Sequence, residues 1–238
     1  MRQMPPRWIA HRGGGSLAPE NTLAGIRLAA RLGFRAVEFD VMLSADRSPF
    51  LIHDETLERT TNGHGRVAES NDACLARLDA GQGEPVPTLA EASALCRALG
   101  LWANIEIKPS TGADRLTAER VVQQTLVDWQ GRAEPPLFSS FSMQALEIAR
   151  ALAPDLPRAV LIGRPKPGWG QDLKRLGAVA LHCRGDAATP ELLAEARALG
   201  VAVRCYTIND PVMAARLFGL GVEALFTDRL DLFAPDAA

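Results

Sequence analysis

The sequence predicts an α/β fold built on one barrel of eight parallel strands, and three observations support this prediction. Short strand-like runs alternate with helical patterns along almost the whole chain. The length of 238 residues is one that a single α/β barrel commonly reaches. Two of the nine candidate strands are joined by a link too short for a parallel crossover, which leaves eight parallel strands.

The candidate strands are short and apolar, and turn residues or helical patterns separate most of them. They are Trp8–Arg12, Ala36–Met42, Phe50–His53, Leu101–Lys108, Leu137–Phe141, Ala159–Ile162, Val179–Cys183, Val201–Ile208 and Ala224–Thr227. Helical spacing is clear in "NTLAGIRLAARLG", "TLAEASALCRALG" and "PELLAEARALG", each of which ends in a leucine-glycine pair. We expect Asn21, Thr88 and Thr189 to cap these three helices at their N-termini.

The short link connects "VEFDVML" to "PFLIHD" through about four residues, 45–48. A parallel crossover needs a dozen or more residues, so the two runs are expected to form an antiparallel hairpin. Pairing Ser44 with Pro49 would place His53 opposite Asp40. The hairpin would then return His53 to the mouth of the barrel, beside an acidic strand.

The polar, glycine-rich segment 54–87 breaks the alternation, with only a short helical pattern near Asn71–Leu78. A loop this long inside a compact barrel is typical of a lid or a binding insertion. We therefore expect one barrel domain over residues 1–238 that carries this insertion.

Composition and charge exclude several function classes. The chain is 47% hydrophobic and 23% charged, as in an ordinary globular protein, and its net charge of −2 favours neither nucleic acid nor an anionic membrane surface as a partner. The N-terminal "MRQMPPRWIA" lacks the apolar core of a signal peptide, and no apolar run approaches about 18 residues. The four cysteines show no metal or redox spacing, so a soluble cytoplasmic protein with free thiols is expected.

Carboxylates are placed on the inner faces of two predicted strands. Strand alternation puts Glu38 and Asp40 on one face, and Asn104, Glu106 and Lys108 share a face of "WANIEIKPS". Three converging carboxylates repel one another unless a cation lies between them, and an all-oxygen ligand set suits Mg²⁺ or Ca²⁺. The alternative is a buried glutamate–lysine pair with one solvated acid at a strand end.

Two of the four histidines, His11 and His53, end predicted strands at the mouth where barrel active sites are built. Two imidazoles around a phosphate could serve as general acid and general base near neutral pH, although a single histidine is more often structural. His64 is expected in a loop and His182 in a barrel strand, without a catalytic role.

Cationic and polar residues near the same mouth are candidates for substrate binding. Arg12 and Lys108 are candidate phosphate ligands. The glycines 13–15 could let backbone N–H groups approach an anion, although three glycines also suit a plain loop. Tyr206, the only tyrosine, could line the substrate pocket or belong to the core.

Taken together, these motifs resemble the glycerophosphodiester phosphodiesterase family, and the resemblance spans nearly the whole chain. The motifs are "AHRGGGSLAPENT", "EFDVMLSADRSPFLIHDETLERTTNGHG", "NIEIKP", "FSSFS", "YTIND" and "FTDR", in the family's order and most similar to its short bacterial cytosolic members. Two departures occur. Arg47-Ser48 follow Asp46 where relatives typically have Asp-Gly, and Tyr206 stands where many relatives have tryptophan.

The resemblance implies a TIM barrel, with a small insertion after the His-Asp motif, that hydrolyses glycerophosphodiesters to sn-glycerol 3-phosphate and an alcohol. It also implies a role for each site residue. His11 and His53 would form the acid/base pair, one divalent cation would be held by Glu38, Asp40 and Glu106, and Arg12 and Lys108 would contact phosphate. The nucleophile would be the glycerol 2-hydroxyl or water.

Two other functions suit the same barrel. A phospholipase-type phosphodiesterase would act on intact lipids and would need a membrane-binding surface, which the sequence does not indicate. A non-catalytic barrel could bind phosphodiesters as a sensor or carrier, and the presence of both histidines and all three acids argues against it.

Overall fold

The structure is a computed structural model that describes residues 6–132 and 134–233. Within these residues nine strands form one sheet: β1 (Trp8–Ala10), β2 (Ala36–Leu43), β3 (Pro49–Leu51), β4 (Trp102–Ile107), β5 (Leu137–Ser140), β6 (Arg158–Ile162), β7 (Ala180–Arg184), β8 (Ala202–Tyr206) and β9 (Ala224–Thr227). All except β3 are parallel, and the pairing of β1 with both β2 and β9 closes them into a barrel. The predicted TIM barrel is confirmed.

Helices connect consecutive barrel strands, as parallel pairing requires. They are α1 (Leu23–Arg31), α2 (Asp72–Leu75), α3 (Leu89–Leu99), α4 (Asp114–Asp128), α5 (Met143–Leu152), α6 (Trp169–Leu176), α7 (Pro190–Ala198) and α8 (Pro211–Leu220). The short α2 is the exception, because it lies between β3 and α3 and joins no barrel strands. It occupies part of the predicted helical pattern at Asn71–Leu78.

The predicted helix caps are confirmed at two of three positions. Thr88 caps α3 in a capping box with Glu91, and Thr189 caps α7. The prediction for Asn21 is wrong, because Thr22 is the N-cap of α1 and its side chain accepts the N–H of Gly25. Asn21 instead lies at φ +57 and uses its side chain in the site described below.

The predicted antiparallel hairpin is confirmed, but its predicted register is wrong by one residue. Leu43 pairs with Pro49, and the N–H of Ile52 donates to the Asp40 carbonyl, so Ile52 and not His53 lies opposite Asp40. The turn runs from Ser44 to Ser48 and holds a residue more than the predicted loop, because the Ser44 N–H donates to the Ser48 carbonyl. His53 therefore lies one position beyond its predicted pairing.

The turn also explains the departure from Asp-Gly. Arg47, directly after Asp46, adopts φ +68, the left-handed conformation for which glycine is the usual residue. A glycine at position 47, as in Asp-Gly, would suit this turn, and in this chain Arg47 adopts the same conformation.

Side-chain alternation along β2 separates the core from the site. Val37, Phe39 and Val41 are buried in the layer between the barrel and the surrounding helices. Glu38 and Asp40, on the opposite face, therefore point into the barrel. At the other end of the barrel, small and apolar residues including Leu137 close the interior beneath them.

The segment after β3 has a small apolar cluster of its own that continues into the hairpin. The cluster consists of Met42, Phe50, Ile52, Leu57, Val67, Leu75, Ala80 and Val86. It holds the segment against the barrel beside the carboxyl end of β2. His53, Asp54 and Arg59 are thereby carried to the mouth.

Two remaining expectations concern cysteines and membrane spans. Cys96, Cys183 and Cys205 are buried free thiols, as predicted, and Cys74 is also free. In residues 6–132 and 134–233, none of the helices combines the length and the apolarity needed to cross a bilayer.

Candidate active site

A cavity of about 220 Å³ opens at the carboxyl ends of the barrel strands, where barrel enzymes build their active sites. All eight residues predicted for the site line it: His11, Arg12, Glu38, Asp40, His53, Glu106, Lys108 and Tyr206. A larger and more open cavity of about 690 Å³ adjoins it and shares Tyr206 and Thr207. Of these two cavities, only the smaller is lined by the three predicted metal-binding acids and both predicted catalytic histidines.

Glu38, Asp40 and Glu106 bring one carboxylate oxygen each to within 4.8 Å of one another, and all three residues are buried. Parallel register causes this convergence, because Asp40 on β2 lies directly beside Glu106 on β4. Glu38 Oε2 accepts the Arg12 backbone N–H at 3.0 Å, whereas its buried Oε1 has no hydrogen-bond partner among the residues that the structure describes. An unpartnered, buried carboxylate oxygen on a member of a three-acid cluster is one that a cation would satisfy.

The pKa values of the three acids also favour a bound cation. Burial and then the charge of Asp40 raise the pKa of Glu38 to about 7, and burial and the neighbouring acids also raise the pKa of Glu106. Burial opposes the ionisation of Asp40, but Lys108 and other cations outweigh it and lower the pKa of that carboxyl. The cluster thus resists full ionisation without a cation, and its all-oxygen donor set fits a hard divalent ion.

His11 lies just beyond β1, between two carboxylates. Its Nδ1 donates to Asp228 at 2.6 Å, and its Nε2 is 3.8 Å from Glu38. Burial alone would lower the pKa of the imidazole, but the hydrogen bond to Asp228 and the charge of Glu38 outweigh burial and raise it. His11 is therefore inclined to hold a proton, with Nε2 free to present it to the cavity.

His53 lies on the other side of the mouth and donates Nδ1 to Asp54 at 2.5 Å. Burial is the largest influence on its pKa and lowers it. Asp40 and the hydrogen bond to Asp54 raise the pKa, but burial together with the cations Lys108 and Arg12 outweighs them, so the pKa is lowered. His53 is therefore inclined to be neutral, with an unprotonated Nε2. The two histidines differ in the direction in which their surroundings shift the pKa.

The two predicted phosphate-binding cations also face the acids. Arg12 has Nε 3.5 Å from Asp40 and donates Nη1 to Glu20 at 2.9 Å. Lys108 Nζ lies 3.5 Å from Asp40 and 3.8 Å from Glu106. Both side chains are partly exposed at the cavity, and this positive charge suits an anionic phosphodiester.

The possible role of glycines 13–15 as an anion cradle is not supported, because their N–H groups are already used. They donate to the carbonyls of Glu38, Arg12 and His11. The glycines serve close packing instead: a Cβ on Gly15, which lies at φ +56, would come within 2.3 Å of the Asp228 carbonyl oxygen. This approach brings Asp228 alongside His11.

A match over nearly the whole chain decides the family. The family model described as "Glycerophosphoryl diester phosphodiesterase family" matches residues 11–232. The chain belongs to this family. The resemblance stated from the motifs is confirmed, and membership makes the chain a glycerophosphodiester phosphodiesterase, a phosphoric diester hydrolase.

Relatives of similar length support the assignment. The chain is 33% identical to a glycerophosphodiester phosphodiesterase of Caldanaerobacter subterraneus subsp. tengcongensis, over 92% of this chain and 93% of that one. A phosphodiesterase of Oleispira antarctica, solved in complex with the product sn-glycerol-3-phosphate, superimposes with a TM-score of 0.90 at 37% identity and covers 94% of this chain and 93% of its own. A glycerophosphodiester phosphodiesterase of Agrobacterium tumefaciens superimposes at 0.77 with 28% identity, over 96% and 99% of the chains.

Tyr206 lines the smaller cavity and presents its ring there, since its hydroxyl donates to the Ile162 carbonyl at 3.0 Å. The ring packs edge-to-face with Phe141, at 6.1 Å between centroids. Phe141 is half exposed and also lines the cavity. Tyr206 is thus half-buried and faces the pocket at the same time.

Sequence reasoning gave no role to four charged residues that contact the site. Asp228 and Asp54 accept from the two histidines, and Asp54 stands in the His-Asp motif while Asp228 stands in "FTDR". Glu20 and Arg59 complete the ion pairs around Arg12 and Asp54. All four residues lie in motifs that the sequence analysis quoted. Their partners, however, can be identified only from contacts between loops that are distant in sequence.

The opposite shifts predict the order in which the histidines titrate. In protein kept metal-free with EDTA, we expect His53 to lose its proton below pH 6.5 and His11 above it, the ordinary imidazole value being 6.5. Long-range ¹H–¹⁵N NMR spectra over a pH series would measure both, with signals assigned from His11→Gln and His53→Gln. Titration of His11 at the lower pH would contradict this prediction.

Proposed function

We propose that the chain hydrolyses glycerophosphodiesters, such as glycerophosphocholine and glycerophosphoethanolamine, to sn-glycerol 3-phosphate and the free alcohol. Catalysis would depend on one divalent cation and on His11 and His53 as an acid/base pair. The proposal depends most on one observation: two carboxylate-bound histidines and three buried acids line the same cavity. The product complex of the Oleispira antarctica relative, at 37% identity, supports a glycerol phosphate in such a site.

The cation would be Mg²⁺ or Ca²⁺, held by Glu38, Asp40 and Glu106. A divalent ion there supplies Lewis-acid stabilisation of the negative charge on the phosphoryl oxygens. The unpartnered Oε1 of Glu38 and the crowding of three carboxylates support this ligand set. Asn21 fixes Asp40, because its side chain donates to Oδ2 at 2.9 Å and accepts the Asp40 N–H.

The phosphate would be bound by Arg12 and Lys108 on the open side of the acids. Both would neutralise the substrate and the charge that develops in the transition state. Arg12 is oriented by Glu20, and Lys108 by the acids of the cluster. Tyr206 and its partner Phe141 would flank the glycerol or alcohol portion with ring surface.

The histidines would divide the proton transfers. His53, inclined to be neutral, accepts the proton of the attacking hydroxyl as the new P–O bond forms. His11, placed between Asp228 and Glu38, donates its Nε2 proton to the departing alcohol oxygen as the old P–O bond breaks. If the attacking group is the glycerol 2-hydroxyl, water then opens the cyclic diester with the two roles reversed; if it is water, one step completes the reaction.

We also propose that residues 1–238 act as one barrel domain, with segment 54–87 as a binding insertion beside the mouth. The enzyme would work in the cytoplasm on small soluble diesters. The net charge of −2 supports a small-molecule partner, because it gives no overall electrostatic attraction to a nucleic acid or an anionic membrane.

A coupled assay for sn-glycerol 3-phosphate tests the proposed function. The purified protein, treated with EDTA and then supplied with Mg²⁺ or Ca²⁺, is given glycerophosphocholine, glycerophosphoethanolamine or dispersed diacyl phosphatidylcholine. We expect product from the two deacylated substrates only when metal is present. Failure with every metal would refute the proposal. The diacyl lipid cannot yield sn-glycerol 3-phosphate while its acyl chains remain, so its cleavage is followed by the release of choline or phosphocholine. Cleavage of the diacyl lipid as fast as that of glycerophosphocholine would indicate a phospholipase-type enzyme.

A further inference from the structure

Arg59 joins the two sides of the active-site mouth, and we propose that it is a positioning residue for His53 and Arg12. Its guanidinium donates to both oxygens of Asp54, at 2.5 and 3.1 Å, and to both oxygens of Glu20, at 2.8 Å each. The inference rests on the proposed function, which gives His53 and Arg12 their roles.

On one side, Arg59 acts through Asp54. That carboxylate accepts Nδ1 of His53, and within residues 6–132 and 134–233 its only other side-chain partner in a hydrogen bond is Arg59. The hydrogen bonds from Arg59 and from His53 lower the pKa of Asp54, so it stays ionised as an acceptor. An oriented, ionised Asp54 keeps the His53 proton on Nδ1 and leaves Nε2 as the base.

On the other side, Arg59 acts through Glu20, which lies in the loop between β1 and α1. Glu20 accepts Nη1 of Arg12 at 2.9 Å, so a continuous chain of hydrogen bonds between side chains runs Arg12–Glu20–Arg59–Asp54–His53. Near Arg59, in the part of the chain that the structure describes, no β-strand pairing joins the loop after β1 to the segment after β3. Arg59 thus links the groups proposed to bind phosphate and to accept the nucleophile's proton.

The value of this link lies in orientation and not in stability. The Arg59 side chain is 47% exposed, and exposed ion pairs contribute little to folding. A planar guanidinium with parallel donors can hold two carboxylates in fixed directions, which a lysine ammonium cannot do. Misplacing a catalytic group by about 1 Å can slow turnover by about 100-fold.

The test compares Arg59→Met with Arg175→Met, a matched control far from the site. Arg175 is also 47% exposed and also pairs with two carboxylates, Glu147 and Asp172. With glycerophosphocholine and saturating metal, we expect kcat to fall by about 10- to 100-fold in Arg59→Met and by less than about twofold in Arg175→Met. Their unfolding temperatures are expected to fall by similar small amounts.

Two further measurements separate positioning from a structural role. In ¹H–¹⁵N NMR spectra the His53 Nδ1–H signal, assigned with His53→Gln, is expected to be present in the wild type and in Arg175→Met but lost in Arg59→Met. Arg59→Lys keeps the charge without the planar fork, and we expect its kcat to lie between those of the wild type and Arg59→Met.

An unchanged His53 signal in Arg59→Met, or wild-type kcat in Arg59→Met or Arg59→Lys, would overturn the proposal. The NMR readout needs no turnover. If the wild type released no glycerol phosphate, the proposed function would fail while the spectra still decided whether Arg59 holds His53.

Discussion

His11→Ala and His53→Ala are each expected to lower kcat for sn-glycerol 3-phosphate release by about 100- to 10,000-fold, the usual contribution of a positioned general acid or base. Both side chains lie at the rim, 18% and 29% exposed, outside the apolar clusters, so the variants are expected to fold. Steady-state kinetics and circular dichroism would measure the two effects. Near-normal turnover in either variant would contradict its assignment.

The leaving group distinguishes the two roles. A nitrophenyl ester of glycerol phosphate releases an anion that needs no proton, whereas choline release needs one. The defect of His11→Ala is therefore expected to be much smaller on the nitrophenyl ester, and the defect of His53→Ala similar on both substrates. His64→Ala, which changes an exposed histidine of the insertion, is the control and is expected to keep wild-type kinetics. A smaller defect for His53→Ala on the nitrophenyl ester would reverse the two roles.

Glu106→Gln is expected to weaken strongly the response of the protein to divalent cations. Changing a group that merely supports a metal ligand costs about 10- to 100-fold in affinity, and removing the ligand charge itself is expected to cost at least that. At a concentration about 100 times the dissociation constant, Mg²⁺ or Ca²⁺ would stabilise the wild type by about 2.7 kcal/mol and the variant by much less. Calorimetric titration and thermal unfolding with and without metal measure both effects.

Without metal the order of stability is expected to reverse, because Glu106→Gln relieves repulsion among three buried carboxylates. Asp128→Asn changes a buried acid outside the cluster and is expected to keep the wild-type metal response. In EDTA, wild-type stability is expected to fall as pH rises from 4.5 to about 7, because Glu38 is protonated in the folded state and already ionised in the unfolded chain over that range. Metal binding by Glu106→Gln with wild-type affinity would contradict the ligand set.

Much of the site followed from strand periodicity. Alternation along β2 places Glu38 and Asp40 on the inner face, and the same rule places Glu106 and Lys108 there on β4. The carboxyl ends of parallel strands lie at the same edge of the sheet. The convergence of these residues could therefore be predicted without knowing any contact between distant parts of the chain. His11 and His53 were placed at the same mouth because each ends a predicted strand, and all of these residues line one cavity of the structure.

Turns and loop backbones were less accessible to the sequence. The hairpin register depends on the length of its turn, which runs from Ser44 to Ser48 and is one residue longer than predicted. The backbone hydrogen bond between Ser44 and Ser48 and the hydrogen bonds from both serine side chains to Asp72 in α2 stabilise this longer turn. Asn21 resembles a helix cap in sequence, yet its amide is used by buried Asp40, 19 residues away. A local sequence pattern does not show that a side chain forms a hydrogen bond with a residue on a distant strand.

The sequence by itself determined the parallel barrel, the inward carboxylates and the two histidines at the mouth, because hydrophobic period and motif spacing are local properties. Only the tertiary structure decided what orients those histidines. Asp228 reaches His11 across 217 residues because β9 pairs with β1 when the barrel closes. Asp54 is held by Arg59 and Glu20 because the segment after β3 packs against the loop after β1. Such contacts form only when the barrel closes and loops that are distant in sequence pack together.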